Sequence, residues 1–391
     1  MSYQTPIRAK TSRPIATPRV QPVAFWGPRM AACAPGLVYA SGQCLTVLVV
    51  AGIAAARHRL SASLWWAWDG QHFLAIASHG YTNSVAAHVN ASPAFFPGYP
   101  ALLALLAAAT RLPLPAAGLV LSAVSGLLFA YGLNRLVTKI ALTDRSMGLL
   151  TVFLASVGPL SIVLTMVYSE ALFCALAVWC LVAILEERWM TAAALSLLAG
   201  TVRQTAVALV VATAIAAVSA AFRRAANWRT WLAVAVAPLG LVGYLGWVAI
   251  HTGQVWGWFT AERNGWNTYV DFGAGTGRFS YRALLFAPAL LDVVTVAVVG
   301  LAAILLVASA ASRAPAAVLA YSSVLLGLDV FADGVMNSKV RLLVPAFTLL
   351  VPVAVWLKAQ TSLARFTIIG CAAAAGTWYS SYALVIYGHA I

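Results

Sequence analysis

A succession of apolar runs, each near the length of a bilayer-spanning helix, constrains this chain more than anything else in it. They fall at about 36–56, 117–138, 146–165, 167–186, 190–204, 205–222, 230–250, 289–311, 315–333, 341–357 and 366–387. About 20 apolar residues in a helix cross the hydrocarbon layer, where backbone groups have no water to bond and must be satisfied within the segment. Composition closes off a soluble fold: 62% of the residues are hydrophobic and 9% charged, against about 25% charged in a water-soluble domain. The expected fold class is an all-α polytopic membrane protein with roughly ten or eleven crossings. The stretch 190–222 reads as one long helix or two partial ones.

The net charge of +14 does not point to nucleic acid, because the basic residues are spread between apolar runs, where they orient helices. Met1 to about Met30 is polar, rich in Pro and Arg, and lacks the apolar core of a cleaved signal peptide. It reads as a disordered basic tail on the cytoplasmic side, followed by one transmembrane domain from residue 31 onward. With that orientation, 15 Lys and Arg fall inside and 9 outside, in the sense of the positive-inside rule. Seven of the ten acids (Asp69, Glu170, Glu262, Asp271, Asp292, Asp329, Asp333) gather on the outer side, which is where a site is expected. The arrangement requires that Phe95–Thr110, flanked by prolines, lie in the interface rather than cross. The external loops are then about 57–116 and 251–288. Both are rich in Trp and Tyr, which suit a membrane interface and also stack on sugar faces. The five cysteines lack metal spacing and read as small buried hydrophobes.

Asp69 stands out, in Trp65-Trp66-Ala67-Trp68-Asp69-Gly70-Gln71-His72-Phe73. A carboxylate among tryptophans at a membrane boundary is costly to desolvate. It reads either as the N-cap of a helix or as a general base that takes a proton from an acceptor hydroxyl; the two are compatible. His72, one turn on, is a hydrogen-bond donor to substrate or a packing residue; with His79 it lacks a third ligand, so no metal is expected. Tyr168 and Glu170 lie in Tyr168-Ser169-Glu170, where one apolar run meets the next. Arg203 interrupts an apolar stretch; its planar fork suits a phosphate, with a salt bridge to Glu170, Asp329 or Asp333 as the plainer alternative. Lys339 and Arg341 form a second basic pair with the same two readings. Glu262 and Trp266 belong to the second aromatic loop.

Two stretches, Trp68-Asp69-Gly70-x-His72-Phe73-Leu74-x-Ile76-Ala77-x-x-Gly80-Tyr81 and Ala94-Phe95-Phe96-Pro97-Gly98-Tyr99-Pro100, resemble the signature of the PIG-V mannosyltransferases. These enzymes add the second mannose of GPI anchors and have bacterial relatives. Tyr168-Ser169-Glu170-Ala171-Leu172-Phe173, Thr201-Val202-Arg203, Trp258-Phe259-x-Ala261-Glu262-x-x-Gly265-Trp266 with Asp271-Phe272-Gly273, and Arg341-Leu342-Leu343-x-Pro345-Ala346-Phe347 resemble later motifs in the same order. The resemblance implies a GT-C fold with interfacial helices in the first external loop and an acidic catalytic residue there, matching Asp69. It also implies metal-independent inverting transfer from a polyprenyl- or dolichyl-phosphate sugar.

The function expected is transfer of a sugar, most of all mannose, to a lipid or glycan acceptor on the non-cytoplasmic face of the cell membrane. Asp69 is the base, and Arg203 with Lys339 or Arg341 holds the donor phosphate. No cofactor is expected beyond the polyprenyl-phosphate sugar as donor substrate; the partners are that donor, the acceptor and membrane lipids, and no nucleic acid. The rival class is a transporter or flippase of a lipid-linked saccharide, which usually carries inverted repeats; none is visible. A noncatalytic subunit that presents substrate is a third possibility.

Overall fold

The computed structural model describes residues 28–82, 92–141, 145–286 and 289–387. The expected amino-terminal tail lies almost wholly outside the described residues. The chain divides into a short unit, Met1–Ala34, and a main body, Pro35–Ile391. Nearly all described structure is helical, which makes the protein an all-α polytopic membrane protein. The helices run in the order α1 (Pro28–Ala56), α2 (Asp69–His79), α3 (Gly98–Thr110), α4 (Leu114–Ala141), α5 (Arg145–Val157), α6 (Glu170–Leu185), α7 (Trp189–Gly200), α8 (Val207–Phe222), α9 (Trp228–Val236), α10 (Leu239–Thr252) and α11 (Gly257–Trp266). After strand β1 (Tyr269–Val270) come α12 (Ala274–Leu285), α13 (Leu290–Ala311) and α14 (Ala316–Phe331). Strand β2 (Ala332–Asp333), α15 (Lys339–Leu342), α16 (Leu350–Lys358) and α17 (Ser362–Ser381) complete the chain.

Among the described residues, six helices are long and apolar enough to cross a membrane, or seven if the bent pair Met336–Leu342 and Phe347–Lys358 is one span. Each remaining apolar run expected from the sequence holds a shorter helix, for identifiable reasons. The 146–165 run stops at Val157 and resumes as a 3-10 turn at Ser161, across Gly158-Pro159. Proline removes a backbone donor and breaks the helix there. The 341–357 run is bent by 71° around Pro345. The 190–222 stretch is two helices, α7 and α8, separated by extended backbone at Arg203 (φ −153°, ψ 148°). Irregular backbone at membrane depth is tolerated where it is buried in protein or lines a cavity, and this break carries a site residue.

Helix α6 sits at the centre. Its sequence from Glu170 to Leu185 is apolar around the whole circumference after its first residue, and nearly every residue is buried, as a helix without a polar face requires. It packs on α4 through Phe129, Leu133, Phe173 and Ala177, while α8 packs on α14. The cysteines divide: Cys174 and Cys180 are buried on α6, whereas Cys33, Cys44 and Cys371 are exposed, and all five are free thiols. The expectation that all would be buried fails for the three, because the outward face of a spanning helix is itself apolar.

The charges sort as the sequence arranged them. Glu186 pairs with Arg135, Lys139 and Arg188, and Glu187 pairs with Arg223; the sequence reading puts all six on one side of the bilayer. Of the charges the sequence reading puts on the opposite side, Asp69, Glu170, Asp271 and Asp333 pair with Arg203, Arg278 and Arg341.

Candidate active site

The backbone that carries Asp69 is strained and pinned. Trp68, just before α2, has φ 53° and ψ −114°, outside the left-handed basin that non-glycine residues tolerate, at about 1–3 kcal/mol. Neighbouring contacts hold it there. The Val167 N–H donates to the Trp65 carbonyl at 3.0 Å, and the buried Tyr168 hydroxyl donates to the Ala67 carbonyl at 3.0 Å. Gly70 permits this approach: a Cβ there would lie 3.0 Å from Trp66 Cβ and 3.2 Å from the Val167 carbonyl. The Trp-rich loop is thus clamped to the chain that leads into α6. Asp69 is the first residue of α2, and no side-chain cap bond forms at this terminus. The capping alternative therefore does not account for it.

The Asp69 carboxylate meets Arg341 instead, Oδ2 to Nη2 at 2.8 Å. Arg341 lies over the Tyr168 ring at 5.3 Å and reaches Glu170 Oε1 through Nε at 3.5 Å. Glu170 is wholly buried and pairs with Arg203 Nη1 at 2.8 Å, so the salt-bridge alternative for Arg203 is present. Arg203 Nη1 also donates to Ser169 Oγ at 2.9 Å. The result is a buried chain of charge, Asp69–Arg341–Glu170–Arg203. It leaves Nε and Nη1 of Arg341 and Nε of Arg203 without hydrogen-bond partners.

Motifs far apart in sequence interlock around this chain. The Gly98 N–H donates to the Thr201 carbonyl at 2.7 Å, and a Cβ at Gly98 would fall 2.6 Å from Thr201 Oγ1. The Phe95–Gly98 turn therefore seats directly on the Arg203 segment. Hydroxyls satisfy the carbonyls of that turn: Tyr244 donates to Pro93 and Phe95, and Tyr81 donates to Phe95. Trp258 adds its indole N–H to the Ala94 carbonyl at 3.1 Å. Irregular backbone beside a membrane needs such partners.

Between these elements lies a cavity with about 140 Å³ of open volume, roughly ten times what one water needs. Asp69, Arg203, Glu262, Trp266, Lys339 and Arg341 line it. Of the other expected residues, Tyr168 and Glu170 stand behind the wall and position Arg341 and Arg203. His72 stacks on Phe95 at 4.6 Å and meets Trp266 edge-on at 5.7 Å, which buttresses the aromatic face formed with Phe73 and Phe96. Lys339 is 4% exposed; its ammonium bonds the carbonyls of Asp329 and Ala332 at the end of α14, where a cation suits the helix terminus. Two of its three N–H donors are thus occupied. Burial pushes the Glu262 carboxyl up to about 8; the Asp69 charge adds to the rise, and Arg203 and Arg341 oppose it. Glu262 is therefore mainly protonated at neutral pH.

Further features complete the rim and the cavity. β1 pairs antiparallel with β2, Tyr269 opposite Asp333, and fixes the rim. Arg278 spans Asp271 at 3.9 Å and Asp333 at 3.5 Å, and the Tyr269 hydroxyl donates to Asp333. Asp271 caps the turn into α12 through the Gly273 and Gly275 N–H groups, so it supports structure at the rim. Asp329 also lines the cavity, 3% exposed. Its signal is the one that marks Arg203, a lone charge inside an apolar run, and the sequence reading takes it only as a salt-bridge partner.

A polytopic helical protein with a charged, aromatic-walled cavity built on its inter-helix turns is of the class of membrane enzymes that act beside a bilayer. Residues 43–243, slightly more than half of the chain, match the family described as Mannosyltransferase (PIG-V). The chain belongs to that family, and it is a membrane mannosyltransferase. A comparison with individual curated proteins finds no match. The matched stretch contains Asp69, Glu170 and Arg203 but ends before Glu262, Asp329, Lys339 and Arg341.

Proposed function

We propose that the protein transfers mannose from a polyprenyl-phosphate donor to a hydroxyl of a lipid or glycan acceptor on the non-cytoplasmic face, in the manner of a GT-C enzyme. The observation that carries this reading is the Asp69–Arg341 pair at the cavity wall, with uncommitted guanidinium donors beside it. The phosphate of the donor takes those donors on Arg341 and Arg203, and the third N–H of Lys339 adds to them. The acceptor oxygen attacks C1 of the sugar as its proton passes to Asp69. The C1–O bond to phosphate breaks, and its electron pair leaves on the phosphate oxygen. The cations are already in place to stabilise that growing charge. Arg341 touches the base and faces the leaving group, so it fixes their relative position. Phe95 and Trp266 give the sugar a stacking surface.

A nearly all-apolar hollow of about 450 Å³ lies between Pro97, Leu197, Leu239, Tyr244 and Trp247, next to the Phe95–Gly98 turn, and supports a prenyl chain as the carrier. The test uses the purified protein in sealed liposomes with a short-prenyl phosphomannose labelled in the sugar, and membrane lipid extract as acceptor. Transfer predicts equimolar free prenyl phosphate and labelled product. Intact donor appearing in the opposite leaflet, with no prenyl phosphate formed, assigns the protein to the flippase class instead.

A further inference from the structure

Both carboxylate oxygens of Asp329 are buried without a hydrogen-bond partner, and the residue, 3% exposed, lines the central cavity. Among the described residues no cation lies within ion-pair distance of it; the adjacent Lys339 ammonium bonds the main-chain carbonyl of Asp329 and not its side chain. A buried carboxyl in that condition costs several kcal/mol as an anion unless it takes up a proton or something in the cavity donates to it. The chemistry of the donor can be narrowed. Phosphate is repelled. An apolar chain leaves the oxygens unsatisfied. The hydroxyls of a hexose supply neutral donors, and a vicinal pair matches both oxygens at once.

The position of Asp329 selects which hexose. Its backbone is tied to Lys339, which belongs to the cation set proposed to hold the donor phosphate, and the transferred sugar is joined to that phosphate at C1. A residue that lines the cavity beside the phosphate site lies next to the ring of the transferred sugar. Resting on the transfer reading above, we propose that Asp329 accepts hydrogen bonds from ring hydroxyls of the transferred hexose and so sets the sugar specificity of the enzyme. It lies beyond the stretch that matches the family, and it gives the carboxyl-terminal half of the chain a direct part in substrate choice. A sugar that lacks the matching hydroxyl leaves this carboxylate unpaired, and such sites reject deoxy analogues strongly.

The test measures binding to the full-length protein in nanodiscs, for wild type, Asp329→Ala and the conservative Asp329→Asn. The probes are short-prenyl phosphomannose, its 2-, 3-, 4- and 6-deoxy analogues, and the short-prenyl phosphate alone. Asp329→Ala is expected to weaken phosphomannose about 10- to 100-fold, the range for a hydrogen bond to a charged group, with Asn in between and prenyl phosphate unchanged. One or two deoxy analogues should bind wild type as weakly as Asp329→Ala binds the parent, with no further loss when the two changes are combined. Equal weakening of phosphomannose and prenyl phosphate makes Asp329 only the counter-charge of Lys339 and overturns the proposal. Additive losses overturn it as well. The outcomes separate from the transfer reading: wild type that binds phosphomannose without turnover refutes transfer alone, a flat Asp329 series refutes this inference alone, and wild type that binds no phosphomannose refutes both.

Discussion

Replacing Glu170 by Gln keeps the shape of the side chain and deletes the charge at the middle of the Asp69–Arg341–Glu170–Arg203 chain. At an effective dielectric of about 20, charges 2.8 Å apart, as in the Arg203–Glu170 pair, attract by roughly 6 kcal/mol. Desolvation of both groups offsets part of this, and loss of one partner from a buried pair costs about 3–5 kcal/mol because the other is stranded. The side chain of Arg203 is 9% exposed, so water rescues little of it. Glu170→Gln and Arg203→Met should therefore each lower the thermal unfolding midpoint by several degrees. The double variant should be less destabilised than the sum by about 2 kcal/mol or more. Intrinsic-fluorescence melts in one detergent, repeated for the four proteins of the cycle, give the coupling. Single losses below about 1 kcal/mol that simply add would show that the two groups do not interact as described, and that Arg203 is free of Glu170 in solution.

The other predictions concern the frame around the cavity and its protonation. Gly98→Ala places a methyl 2.6 Å from Thr201 Oγ1 and 2.9 Å from the Thr201 carbonyl. It should cost about 1–3 kcal/mol and reduce turnover more than donor binding, by displacing Arg203, as steady-state kinetics with a melt will test. The Glu262 carboxyl, at about 8 against an ordinary value of 4.5, keeps its proton in the fold when the unfolded chain has lost it. Its contribution to stability is thus full below pH 4.5 and declines as pH rises toward 8. Activity should fall above about pH 8 in wild type, and Glu262→Gln should flatten that limb; a limb that persists in the variant belongs to another group.

How much was legible in the sequence follows from what kind of signal each feature leaves. Apolar runs of spanning length are local, so the helical membrane fold and the helices within those runs could be read directly, whereas α11 and α12, inside the expected loop 251–288, could not. Asp69 and Arg203 were visible because an unpartnered charge in an apolar segment is expensive. Glu170 is among the three carboxylates the sequence offers as a partner for Arg203, but the partner of Asp69 is not legible, since Arg341 lies 272 positions after it and only packing brings them together. The same holds for β1 and β2, which are two residues each and too short to leave a periodicity. The helix breaks at Pro159 and Pro345 were encoded by single residues inside runs whose average hydropathy hid them. Trp68 is held in its strained conformation through the contacts of Trp65 with Val167 and of Ala67 with Tyr168, and no local pattern announces a tryptophan at positive φ.

The central claim is that Asp69 removes the acceptor proton. The most direct measurement is turnover of short-prenyl phosphomannose by Asp69→Asn, with donor affinity and melting midpoint recorded on the same preparation, because the substitution also weakens the Arg341 contact. Donor binding within a few-fold of wild type, together with a turnover loss of about 100- to 10,000-fold, is the result expected of a missing general base. Turnover at the wild-type rate in the folded, donor-binding variant contradicts it.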